Sequence, residues 1–168
     1  MTNSKGFTLI EVLIVVAIFA IGMSIAIPNL LRMGRRSAAM SDARQIKNQL
    51  SKARLIAVER NAWVTVEYRQ PNDDYVVFID STPPDYTYDG TEEIVGIVKL
   101  KSTTYDTSEG GGDGIAIASG NSISWDSKGI AYDNGGGLPN GSIYIKGKDD
   151  SGYKVTINDS GNIRIQKN

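Results

Sequence analysis

Hydrophobic and polar positions divide the chain into three stretches with different periods. From Phe7 to Leu31 the run is almost wholly apolar, and from Val12 to Leu31 twenty consecutive residues carry no charge. At about 1.5 Å per residue such a run covers roughly the 30 Å hydrocarbon core of a bilayer, so it predicts a membrane-spanning helix. From Arg32 to Arg60 the apolar positions thin to a stripe of Ala39, Ala43, Ile46, Leu50, Ala53 and Ala57, spaced by threes and fours. That period predicts continued helix, with the stripe lying on a sheet and Arg32, Arg36, Arg44, Lys47, Lys52 and Arg54 left for the other faces. Gly34, Ser37 and Ser41 interrupt it only locally. Pro28 removes one backbone hydrogen bond and crowds the carbonyl of Ser24, in a region that Gly22 also weakens.

After Asn61 the period drops to two. Trp63–Tyr68, Tyr75–Ile79, Ile94–Leu100, Ile115–Ala118, Ser122–Trp125, Ser142–Ile145, Tyr153–Ile157 and Ile163–Ile165 read as strands, each bounded by Gly, Asn, Asp, Ser or Pro. Asp159-Ser160-Gly161-Asn162 predicts a short hairpin between the last two. The fold class is therefore α+β: a long N-terminal helix, half membrane and half amphipathic, packed on an antiparallel β-rich head, either one twisted sheet or two packed sheets. The boundaries are residues 1–6 before the run, 7–31 for the apolar helix, 32–61 for its amphipathic half and 62–168 for the head.

Composition narrows the chemistry. The chain has no cysteine, so an exported head must stand on its hydrophobic core alone. It has no histidine, which removes His-based triads and His-ligated metal sites. Residues 1–62 hold nine Lys/Arg against three Asp/Glu, whereas residues 63–168 hold nine against sixteen. The acidic head repels nucleic acid in bulk, and the basic half complements acidic heads or lipid headgroups.

Glu11 stands inside the apolar run. A carboxylate in a membrane helix costs about 2.5–3.5 kcal/mol, and so implies a partner and a role. The residues before the run hold one positive charge, Lys5, and are too few for an ordinary secretory signal; Ser24, Ile25 and Ala26 make a poor cleavage site behind it. The string Lys5-Gly6-Phe7-Thr8-Leu9-Ile10-Glu11 instead resembles the class III leader of type IV pilins and pseudopilins. That resemblance implies a prepilin peptidase cut between Gly6 and Phe7, N-methylation of Phe7, and a carboxylate at Glu11 that pairs with the amino terminus of a neighbouring subunit in a filament. Pilins commonly have a proline where Pro28 stands, and their helix kinks or melts there during assembly; the alternative is an ordinary kink.

Further resemblance lies in the order of elements. A long helix, an immediate strand at Trp63–Val66, Ser124-Trp125-Asp126-Ser127-Lys128-Gly129, a strand at 141–145 and a final hairpin ending Gly161-Asn162-Ile163-Arg164-Ile165 resemble the H-type pseudopilins and the FimT/FimU-like minor pilins. The implied function is that of a structural subunit, near the tip of a type II secretion pseudopilus or a type IV pilus. Implied partners are prepilin peptidase, other pilins, an inner-membrane assembly platform and membrane lipid, with the head in the periplasm. Arg32, Arg35 and Arg36 beyond the run would by charge alone keep the head in the cytoplasm, so the chain departs from the positive-inside pattern.

Four other constellations bear weighing. DNA uptake, as in some FimT-like proteins, would use Arg164 and Lys167, but Asn162 follows Gly161 where an arginine would strengthen the motif. Calcium would need oxygens from Glu109–Asp113, Asp133–Gly137 or Lys148–Asp150, none with EF-hand spacing, and all fit solvated turns. Tyr86, Tyr88 and Tyr105 are expected in long loops, as anchors or as contacts to a neighbour. A Ser/Lys hydrolase would need a buried serine and lysine together, and Ser127-Lys128 are neighbours in a turn. No enzymatic activity and no cofactor are expected.

Overall fold

The computed structural model describes residue 6 and residues 8–168. One helix, α1, runs from Leu9 to Arg60 over 52 residues, continuous through Pro28 and Gly34. The chain falls in two compact units, 1–34 and 35–168.

In the first unit the apolar side chains stand exposed along the helix: Leu9, Ile18, Phe19, Ile25 and Leu30 all keep more than half their surface. This segment is long and apolar enough to cross a membrane. So much uncovered hydrocarbon is stable only in lipid or against other apolar helices.

The second unit is built from the remaining helix and ten strands. Five form a first sheet: β1 (Trp63–Arg69), β2 (Asp74–Asp80), β3 (Glu93–Lys99), β6 (Ser122–Trp125) and β7 (Ala131–Asp133), in the order β3-β2-β1-β6-β7 and antiparallel throughout. The second sheet runs β10 (Ile163–Lys167), β9 (Gly152–Ile157), β8 (Gly141–Gly147). The far edge of β8 is shared by two short strands, β4 (Thr103–Tyr105) on its end and β5 (Ile115–Ile117) on its beginning. Glycines in the intervening loop allow this division. At Gly114, with φ at +76°, a Cβ would lie 2.8 Å from the Asp106 amide nitrogen, which donates to the Tyr144 carbonyl on β8.

One core joins the layers. The expected stripe of Ala39, Ala43, Ile46, Leu50, Ala53 and Ala57 is fully buried. From Ala43 onward it packs with Val64, Val66, Tyr75, Val77, Ile123 and Trp125 of the first sheet and Ile143, Ile145, Val155 and Ile157 of the second. The small alanines let the helix approach closely while Ile46 and Leu50 fill the space between. Arg32, Arg36, Arg44, Lys52 and Arg54 are exposed and Lys47 is half-buried.

The outer face of the first sheet is also covered, by residues 81–92. Asp80 anchors that loop: its carboxylate accepts from Thr65 Oγ1 (2.6 Å) and from the amides of Ser81, Asp85 and Tyr86. The Tyr88 ring packs tilted against Phe78, with centroids 5.5 Å apart, and its amide donates to Glu67. This explains why Thr65, Val76 and Phe78 are fully buried although they point away from the helix.

Tyr105 corrects the expectation of a loop residue. It lies in β4, buried, with its hydroxyl donating to the Asp74 carbonyl at 2.8 Å and its ring edge-on to Tyr68. Tyr86 and Tyr88 do lie in the loop, both half-buried. Tyr68 is different again, since its buried hydroxyl has no partner among the described residues. Burial pushes the phenols of Tyr68, Tyr75 and Tyr105 well above their ordinary range. An unpaired buried hydroxyl contributes nothing to offset its own desolvation. Tyr68→Phe is therefore expected to leave stability unchanged or raise it by up to about 1 kcal/mol in urea titration; a loss of the same size would show that the hydroxyl has a partner.

Candidate functional site

The start of α1 is organised by two residues. Thr8 precedes the first helical turn and Glu11 closes it: the Glu11 carboxylate accepts from the Thr8 amide (2.9 Å) and from Thr8 Oγ1 (2.9 Å), both on Oε2. In return Thr8 Oγ1 accepts from the Glu11 amide at 3.3 Å. This reciprocal pattern is a capping box, which satisfies donors that a helix start otherwise leaves open. A negative group here also faces the positive end of the helix dipole. The signal for it is the spacing Thr8-x-x-Glu11, legible in the sequence but hidden when Glu11 is read only as a charge in lipid.

Gly6 is exposed, and a Cβ there would meet nothing within 4 Å. Phe7, the expected methylated residue, lies outside the described residues, as do residues 1–5. Pro28 sits mid-helix, and Ser24 turns its hydroxyl to the Ile21 carbonyl at 2.7 Å.

In the second unit a buried carboxylate ties the helix to a loop. Asp42 lies on the same face as the alanine stripe, 3% exposed, and one oxygen accepts from the amides of Ser102 (2.8 Å) and Thr103 (3.0 Å) and from Thr103 Oγ1 (2.9 Å). Three donors converging on one acceptor fix where β4 begins relative to the helix.

The remaining candidates are placed as follows. Arg164 and Lys167 are exposed on the edge strand β10. The turn carboxylates serve their own backbone: Asp113 accepts from Ile115 N, Asp133 from Gly135 N and Gly137 N, and Asp149 from Ser151 N and Oγ. Among the described residues no three acidic side chains come together to hold a metal. Ser127 and Lys128 sit in a turn closed by Asp126, which accepts from the Lys128 and Ile130 amides, and Lys128 is exposed.

Comparison with known proteins agrees with this layout. The prokaryotic N-terminal methylation motif matches residues 1–27, and the family described as type II transport protein GspH matches residues 42–161. The pilin-like protein PilA1 of Thermus thermophilus is 33% identical over 90 residues, covering 53% of this chain and 56% of that protein. The type IV wide pilus major component PilA4 of the same organism is 60% identical over 37 residues, covering 22% of this chain and 28% of that protein. The chain thus spans about half the length of the first relative and about a quarter of the second. Among solved structures, the minor pseudopilin EpsH from the type 2 secretion system of Vibrio cholerae superposes with a TM-score of 0.50 at 12% identity, covering 77% of this chain and 96% of that one. The type IV minor pilin FimU of Pseudomonas aeruginosa gives 0.52 at 12% identity, covering 80% and 92%. At that identity the two structures speak for the fold: a long helix packed on antiparallel sheets. With the family match spanning most of the chain and the methylation motif at its start, this protein belongs to the GspH family of pilin-type structural subunits.

Proposed function

We propose that the chain is a minor subunit of a type II secretion pseudopilus or a type IV pilus, anchored by residues 7–31 in the inner membrane with its head in the periplasm. In this reading prepilin peptidase cuts between Gly6 and Phe7 and the new amino terminus is methylated. The subunit then passes, through an inner-membrane assembly platform, into a filament of other pilins near its tip. The protein acts by assembly and carries out no catalysis. The observation that carries the reading is the placement of Glu11 on the first turn of an uninterrupted, wholly exposed apolar helix. In a filament core the amino group of a neighbouring Phe7 is the natural counter-charge for that carboxylate. Breaking such a pair leaves a buried charge uncompensated, at about 3–5 kcal/mol, so the pair sets the register of each added subunit.

The test is Glu11→Val. The variant is expected to begin at methylated Phe7 by intact mass and to stay in the membrane fraction, yet to be lost from sheared filaments. Glu11→Asp is expected to be partly incorporated, because the charge remains. Unchanged incorporation of Glu11→Val would remove the register role.

A further inference from the structure

Against the acidic balance of the head, one region is strongly basic. A cleft of about 370 Å³ opens where β3 and β8 end and β4 begins, lined by Lys99, Lys101, Lys146 and Lys148 with the hydroxyl-bearing Ser102, Thr103 and Thr104. That volume lies within the range of small-molecule sites, about 300–1,000 Å³. A smaller hollow of about 130 Å³ adjoins it, sharing Lys101, Ser102 and Lys148 and adding Arg35 and Ala38. Two carboxylates also line the larger cleft, and both are engaged: Asp73 accepts from the Tyr105 amide at 3.0 Å, and Asp150 pairs with Lys146 at 3.1 Å. Arg35, Lys99, Lys101 and Lys148 take part in no ion pair among the described residues. Asp73 keeps its negative charge and Asp150 offsets Lys146, so the four lysines of the larger cleft outnumber its two carboxylates, Arg35 adds a further cation in the adjoining hollow, and the excess positive charge favours an anion.

Chain connectivity identifies the anion. Arg35 is four residues beyond Leu31, where the apolar run ends, so by chain length alone it cannot be more than about 14 Å from that point. The charge of the head is also polarised: Glu92 and Glu93 stand at the other end of β3, with Asp89 beside Glu92 and Asp85 beside Asp80 at the neighbouring end of β2, and Arg60 pairs there with Glu93 at 2.6 Å; that end is about 20 Å away along a seven-residue strand. A head with that polarity turns its basic end toward an anionic surface and its acidic end away.

We propose that this cleft binds the phosphate of an anionic phospholipid headgroup in the leaflet at which the apolar helix emerges, with Lys101 and Lys148 as its central contacts and Ser102 and Thr104 as hydroxyl donors. The proposal rests on the membrane reading of residues 7–31. It also gives a role to Arg35, one of the three arginines behind the apolar run that the positive-inside pattern leaves unexplained.

The full chain in detergent, mixed with equal amounts of phosphatidylglycerol and phosphatidylcholine, is examined by native mass spectrometry. The wild type is expected to retain phosphatidylglycerol at least tenfold over phosphatidylcholine. The double variant Lys101→Gln, Lys148→Gln is expected to lose that preference, while Lys101→Arg, Lys148→Arg keeps it. Lys128→Gln with Lys167→Gln, which removes the same charge from exposed sites outside the cleft, is expected to keep it as well. Equal retention of the two lipids by the wild type, or a preference that the Gln variant retains or the control loses, would overturn the site. Displacement of the lipid by an equal concentration of inorganic phosphate would show a lone-phosphate site and overturn the lipid assignment. Membrane residence is read separately, by carbonate extraction of cell membranes. Release of the wild type there would sink the reading of the apolar run, whereas retention without lipid preference would sink the cleft alone.

Discussion

Leu50→Ala is expected to destabilise the head by about 2–5 kcal/mol in urea titration of a fragment beginning at Ser37. Leu50 is fully buried between the helix and both sheets, and truncating it removes packing from each layer at once. A loss of that size is a large fraction of the 5–15 kcal/mol typical of a domain. Lys52, two positions on, is exposed, and its replacement by alanine is expected to change stability by less than about 0.5 kcal/mol. The fragment is expected to fold alone, because none of its core residues comes from residues 1–34. Equal losses in the two variants would mean that the stripe through Leu50 does not dock the helix onto the sheets.

Asp42→Ala comes next, at about 3 kcal/mol, since it strands three donors that share one carboxylate oxygen and each buried unsatisfied group costs about 1–3 kcal/mol. Ser102 is half-buried and can recover part of its loss from water. Asp42→Asn keeps an acceptor oxygen in place and is expected to lose only about 1 kcal/mol. Hydrogen exchange at the Ser102 and Thr103 amides reports the same bonds directly and should speed up more in the alanine variant. If alanine and asparagine were equally tolerated, the carboxylate would not be what pins β4 to the helix.

These two positions also show what the sequence discloses and what it hides. Leu50 belongs to a 3.6-residue period of apolar side chains, and all six positions of that stripe are buried as their spacing predicts. Asp42 lies on the same face but is polar, so a hydrophobic pattern passes over it; only the donors of residues 102 and 103, sixty positions away, make it a core residue. The eight expected strands are all present, with ends moved by no more than two residues. The two that escape notice, β4 and β7, have three residues each, too few for alternation to register, and they exist because β8 and β6 offer them partners. For the same reason Tyr105, set among Thr and Asp, reads as a loop residue. The basic cleft is written in the chain as two lysine doublets, Lys99-Leu100-Lys101 and Lys146-Gly147-Lys148, which the pairing of β4 with β8 brings together.

Under the proposed pairing of Glu11 with a neighbour's amino group, the bonds between Thr8 and Glu11 make assembly an exchange. A carboxylate already holding two hydrogen bonds within its own turn does not enter the bilayer bare, so part of its cost there is offset inside the monomer. For the same reason a neighbour's amino group does not collect the full strength of a charge pair: it wins only the difference between its own bond and the one it displaces. In the proposed filament the register contact is therefore weaker than one made by a carboxylate that has no partner in the monomer.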